Sequence, residues 1–234
     1  MNMKSYLIGI SVTGAIAFMP FSVLADWKEG WTGDVRYKYV VSSDAGGTDT
    51  VTGDNNEFVA FNGDAVDGDS GLGFAIGKKI DNIGVSLAYE RMGVTYDLTG
   101  SVQADGDVDL GSKVDFDIDT WMLEVDYTIV INDSFSGNLL AGIGQSTFDF
   151  SANSAAVVRA NGSIVNVGDT SDNTETTIRL GAGVGYKLSD RATLLTMLQY
   201  TDYGTADLKI ANGAATTGVD VETTELSVRV KFNF

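Results

Sequence analysis

The sequence predicts an all-β chain closed into an eight-stranded antiparallel up-and-down transmembrane β-barrel. Three observations point there. Apolar side chains recur at every second position in eight separate runs, the connectors between runs alternate short and long, and the surplus acid is concentrated in the long connectors. The length of 234 residues suits one domain, and a chain with 28 Gly, abundant Thr and Val and a single Pro, Pro20, leans to β structure.

The first element is a leader. A basic start at Met1–Lys4 precedes the apolar stretch Tyr6–Met19, and Val23 and Ala25 are small residues at the −3 and −1 positions of a signal-peptidase site. About 14 apolar residues fall short of the roughly 20 that a single membrane anchor needs. Residues 1–25 are therefore expected to be a signal peptide, and residues 26–234 the barrel.

The eight runs follow in order. Trp31, Val35, Tyr37 and Tyr39 share one face, with Asp34, Arg36 and Lys38 on the other. Leu72, Phe74 and Ile76 oppose Gly73, Ala75 and Gly77, and Val85, Leu87 and Tyr89 oppose Ser86, Ala88 and Glu90. Trp121, Leu123, Val125 and Tyr127 oppose Met122, Glu124, Asp126 and Thr128, and Leu139, Ala141 and Ile143 oppose Gly142 and Gly144. Ile178, Leu180, Ala182, Val184 and Tyr186 oppose Arg179, Gly181, Gly183, Gly185 and Lys187. Leu194, Leu198 and Tyr200 share a face with Thr196. The last run sets Leu226, Val228, Val230, Phe232 and Phe234 against Glu225, Ser227, Arg229, Lys231 and Asn233. Lipid allows no open sheet edge, so such strands must close on themselves.

Asp81–Ile83, Asn132–Ser134 and Ser189–Arg191 read as short turns. The stretches near 42–69, 94–114, 149–175 and 204–221 read as long loops facing out of the cell. Counted as 41–69, 93–119, 149–176 and 202–222, the long connectors hold 22 of the 32 acidic residues and only Lys113, Arg159 and Lys209 as bases. The rest of residues 26–234 is nearly neutral, so the net charge of −17 belongs to the loops. A soluble sandwich would alternate too, but it would spread charge along every outer face. Nucleic acid is excluded by the sign of the charge.

Residues 115–127 change character along one face, from Asp115, Asp117 and Asp119 to Trp121, Leu123, Val125 and Tyr127. The spacing predicts one strand that leaves the bilayer at Trp121 and continues into water with Phe116 and Ile118 turned inward. A β-bulge that flips the register is the alternative.

Candidate chemistry is sparse. The chain has neither Cys nor His, which removes disulfides, thiolate sites and the usual general base, and no enzyme activity or cofactor is expected. The acidic run Asp105-Gly-Asp-Val-Asp fails EF-hand spacing, because position six is Leu110 and position twelve is Phe116. No metal site is expected there. The inward face does carry charges of both signs: Arg36, Lys38, Glu90, Glu124, Asp126, Arg179, Glu225, Arg229 and Lys231. Eight strands enclose an interior that side chains just fill, and buried charges must pair. The expectation is a plugged lumen in which Glu124 meets Arg36 or Arg229, with Glu90 and Arg179 in the layer above. A narrow water path is the alternative. Inward glycines on the second, fifth and sixth runs leave room for long side chains to cross.

The C-terminal Glu-Leu-Ser-Val-Arg-Val-Lys-Phe-Asn-Phe, residues 225–234, resembles the terminal-strand signal of outer-membrane barrels. Leu226, Val228, Val230, Phe232 and Phe234 would then be read by the barrel-assembly machinery. With Gly-Ala-Gly-Val-Gly-Tyr at 181–186 and Gln-Tyr-Thr-Asp-Tyr-Gly at 199–204, the chain resembles the OmpA/OmpX-like small barrels, grouped with opacity-type surface proteins in a porin-like superfamily. The sequence stops at the last strand, so the periplasmic peptidoglycan-binding domain of full-length OmpA-type proteins is not expected. The resemblance implies a monomer in the cell outer membrane, in contact with membrane lipid and lipopolysaccharide. Its acidic loops would serve envelope stability, adhesion or contact with an extracellular ligand, with a narrow pore for small solutes or ions as the alternative.

Overall fold

A computed structural model describes residues 30–46, 50–52, 58–65, 70–102, 112–151, 156–158, 164–166, 173–210 and 215–234. The expected leader (1–25) and the acidic run at 105–109 lie outside the described residues. Among the described residues twelve strands follow in chain order: β1 (Trp31–Gly46), β2 (Thr50–Thr52), β3 (Phe58–Ala65), β4 (Ser70–Ile80), β5 (Ile83–Val102), β6 (Ser112–Val130), β7 (Phe135–Ser151), β8 (Ala156–Val158), β9 (Ile164–Asn166), β10 (Asn173–Ser189), β11 (Ala192–Ile210) and β12 (Ala215–Asn233). Eight of them, in the order β12-β11-β10-β7-β6-β5-β4-β1, pair antiparallel with their neighbours, and β12 pairs back onto β1 to close the barrel. The short β4 leaves a gap above Ser70, which β3 fills by pairing with β1 and β5. No helix among the described residues is long and apolar enough to cross a membrane.

The alternation works through the pleat. Leu72, Ile143, Leu180 and Leu198 stand exposed on the outer face, while Arg36, Glu124 and Arg179 on the opposite parity are buried. A continuous apolar outer belt would be a liability in water and is what lipid requires. Exposed aromatics edge the belt. Trp31, Tyr127, Phe135, Tyr186 and Phe232 stand towards the short turns, and Tyr39, Trp121 and Tyr200, with the half-buried Tyr89, towards the other end. Tyr89 and Trp121 are adjacent, with ring centroids 5.0 Å apart. From Trp31 to Tyr39 a tilted strand climbs roughly 20 Å.

The short turns are closed locally. Asp81, at φ 54°, forms the two-residue link between β4 and β5. Asn132 Oδ1 accepts hydrogen bonds from the amides of Ser134 and Phe135, each at 2.9 Å, an Asx-type arrangement that suits a tight reversal. The other end differs from the loop expectation. Much of the stretches 42–69, 94–114 and 204–221 is strand, and β7 and β10 run into the stretch 149–175, so the hairpins continue well past the upper aromatic ring. Their polar texture hid this, because a strand in water puts its polar residues outward. Two bulges adjust the extension, one in β1 between Val40 and Ser42 and one in β11 between Asp202 and Thr205. At the second, Gly204 adopts φ +85° and its amide donates to Asp202 Oδ1 at 2.9 Å.

β6 pairs without a break along both neighbours. It is one strand with no bulge: Ile118 is buried between the outward Asp117 and Asp119, and lower down Glu124 is buried between Leu123 and Val125. Phe116 pairs within the same register, and its side chain lies outside the described set.

Candidate functional site: the charged lumen

The pleat sends one polar residue from almost every strand into the lumen at mid-height, and the barrel stagger brings distant strands to one level. Arg36 Nη1 donates to Glu124 Oε1 at 2.8 Å and to Glu90 Oε1 at 2.9 Å. Arg179 reaches the same two carboxylates, with Nη2 to Glu90 Oε2 at 2.7 Å and Nη1 to Glu124 Oε1 at 3.0 Å. Arg229 Nη1 lies 3.3 Å from Glu124 Oε2. Lys38 pairs with Glu90 and lies 2.9 Å from Glu225 Oε2. Asp34 grips the far edge of Arg36 with two bonds, Nε at 2.7 Å and Nη2 at 2.9 Å, the fork geometry that makes Arg–carboxylate pairs strong.

The buried charges balance among the described residues: Arg36, Lys38, Arg179 and Arg229 against Asp34, Glu90, Glu124 and Glu225. Each ion would cost several kcal/mol alone, and mutual pairing is what makes burial tolerable. The expected two layers are in fact one cluster, because Arg36 and Arg179 each touch both Glu90 and Glu124. Lys231 and Asp126 stand apart. They form a separate, more exposed pair at 2.8 Å nearer the short turns.

Register explains part of the geometry. Arg36 and Arg229 are direct cross-strand partners where the barrel closes. That is a repulsive placement, relieved by Glu124 bonding both from across the lumen. Glycine supplies the room. A Cβ on Gly73 would lie 2.6 Å from Glu90 Cγ and 3.1 Å from Arg36 Cγ, so a side chain there would displace the cluster.

Further participants lie outside the charge set named from the sequence, Ser227 among them, whose Oγ accepts from Arg229 Nε at 3.2 Å. Asp34 stands on the predicted inward face and joins the charges. Tyr203 Oη donates to Glu225 Oε1 at 2.6 Å, Thr223 Oγ1 to the same oxygen at 2.9 Å, and Arg179 Nε to Thr201 Oγ1 at 3.0 Å. The inward parity of β11, continued past residue 200, is the signal that points to Thr201 and Tyr203. Below the cluster a void of about 10 Å³ lies between Arg229, Glu124, Asp34, Ser86 and Asn138, room for about one water. Above it the lumen turns apolar, with Met92, Val94, Ile118, Phe148, Ala206 and Val221 buried.

This architecture, apolar outside, charged and filled inside, closed without an edge, has a counterpart among known families. The family model for the outer membrane protein beta-barrel domain matches residues 11–234. The chain belongs to that family. Its place is accordingly the cell outer membrane. Among solved structures, OprG from Pseudomonas aeruginosa is similar at 19% identity with a TM-score of 0.54, covering 88% of this chain and 97% of that one. Neisserial surface protein A is similar at 14% identity and TM-score 0.52, with the same coverage. At these identities the likeness concerns the fold. No curated protein matches the sequence.

In the family's layout the short turns face the periplasm and the long hairpins face outward. The terminal strand of this outer-membrane barrel puts Leu226, Val228, Phe232 and Phe234 on the exposed outer face, with Val230 half-buried. The Phe234 amide donates to the Trp31 carbonyl at 2.9 Å, which ties the chain end to the start of β1.

Proposed function

We propose that this protein works without catalysis or conduction, as a surface protein whose acidic outer ends make contacts for the envelope or with neighbouring surfaces. The observation that carries this reading is the filled, charge-balanced lumen, which leaves the acid-rich outer connectors as the functional surface. With 22 acidic and three basic residues there, those connectors favour cationic partners and steer them at low ionic strength. Replacing their Asp and Glu by Asn and Gln should abolish adherence of expressing cells to a cationic or host-cell surface, while the barrel remains heat-modifiable on gels. Unchanged adherence would overturn the reading. A narrow pore is the rival, and conductance distinguishes it.

We further propose that Leu226, Val228, Val230, Phe232 and Phe234 form the signal for the assembly machinery. Deleting Phe234 should lower outer-membrane yield while export to the periplasm is unchanged, as fractionation would reveal. The protein is taken to act as a monomer among lipids and lipopolysaccharide.

A further inference from the structure

One ladder of the barrel cannot form until both of its terminal strands are in place, the seam between β1 and β12. Pairing them is the longest loop closure in the barrel. Among the described residues this seam also carries the one directly opposed like-charge pair on the inner face, Arg36 against Arg229. The inward pairs beside it carry no such conflict, since Asp34 faces Lys231 and Lys38 faces Ser227. Side chains directly opposite lie roughly 5 Å apart at Cβ, so two buried guanidinium groups there oppose closure. One oxygen offsets this. Glu124 Oε2 accepts from Arg36 Nη1 at 2.9 Å and from Arg229 Nη1 at 3.3 Å, and Glu124 is the carboxylate that pairs with Arg229 among the described residues. That carboxylate belongs to neither seam strand. It is carried by β6, which is paired along both edges with β5 and β7. We propose that Glu124 is the latch of barrel closure: the β1–β12 seam closes on a carboxylate that β6 has already set across the lumen to receive both arginines.

The chain has no cysteine, so two engineered pairs can time two ladders separately. Ser42→Cys with Thr224→Cys spans the seam, and Thr147→Cys with Thr174→Cys spans β7 and β10; the members of each pair are direct cross-strand partners. All four positions are exposed or half-buried at or above the upper aromatic ring, within reach of a short bis-methanethiosulfonate that traps each pair as it forms. They lie outside residues 226–234, and folding from urea into lipid vesicles without assembly machinery keeps the terminal-strand signal out of the result. Glu124→Gln should slow the seam crosslink about tenfold, the scale of one lost charge-assisted hydrogen bond, and leave the β7–β10 crosslink unchanged. Arg229→Gln added to Glu124→Gln should restore the seam rate, because it removes the repulsion that the carboxylate offsets. Arg179→Gln added instead leaves the same charge balance, one taken from four on each side, but keeps Arg36 opposite Arg229, so the seam should stay slow. An unchanged seam rate in Glu124→Gln, or slowing of both crosslinks together, would overturn the latch. So would a failed rescue by Arg229→Gln, or an equal rescue by Arg179→Gln, which would reduce Glu124 to a counter-charge.

Discussion

The lower and upper halves of this lumen are built on opposite rules, and β6 passes through both. Below Trp121 the strand sends Glu124 inward among arginines and Leu123 and Val125 outward. Above it, Ile118 is buried and Asp117 and Asp119 face out, where Asp119 accepts a hydrogen bond from Tyr89 at 2.7 Å and Asp117 pairs with Arg91 at 3.1 Å. The backbone is the same ladder throughout. What changes is the medium outside it. In lipid the outer face must be apolar, so polar groups go inward and satisfy one another. In water the outer face can be polar, and the same barrel closes on an ordinary apolar core. Inside-out patterning is thus a response to solvent that switches within two residues of one strand.

The contrast can be broken most severely inside the membrane. Glu124→Ala leaves Arg36, Arg179 and Arg229 short of a shared carboxylate and should cost about 3–5 kcal/mol in urea unfolding from lipid vesicles. Replacing Glu124 and its arginine partners together by apolar residues should cost less. An equal or greater loss would mean that packing, rather than uncompensated charge, sets the penalty. In the upper half, Phe148→Ala removes a fully buried ring and should cost a similar 3–5 kcal/mol through a cavity.

On the outer face the two halves should part company. Leu180→Arg faces hydrocarbon and should cost about 2–4 kcal/mol. Asp149→Arg, above the upper ring and directly opposite Asp117, should stabilise by about 0.2–1 kcal/mol, because it turns a like-charge pair into an attractive one. If Asp149→Arg destabilised as much as Leu180→Arg, the membrane boundary would lie higher than the Trp121–Tyr89 level.

Much of this is legible from alternation alone. The faces of β1, β4, β5, β6 and β12 follow from period two, which by itself sets Arg36, Glu90, Glu124 and Arg229 in the lumen. Their pairings are only partly legible, since cross-barrel contacts depend on stagger, which period two does not encode. In the single cluster, Arg179 from β10 bridges Glu90 of β5 and Glu124 of β6, and only the stagger brings those three strands to one level. The upper strands are hidden in the sequence because acidic, Gly-rich segments resemble loops when the outer face is the polar one. The bulges at residues 40–42 and 202–205 shift the register there, so a parity count carried up from below fails beyond them.

The central claim is that the charged cluster and the apolar layer above it close the lumen. Planar-bilayer recording of the purified wild-type protein at both polarities tests this most directly. The account predicts a silent membrane with no regular unitary steps, whereas a reproducible single-channel conductance from correctly folded, heat-modifiable protein would contradict it.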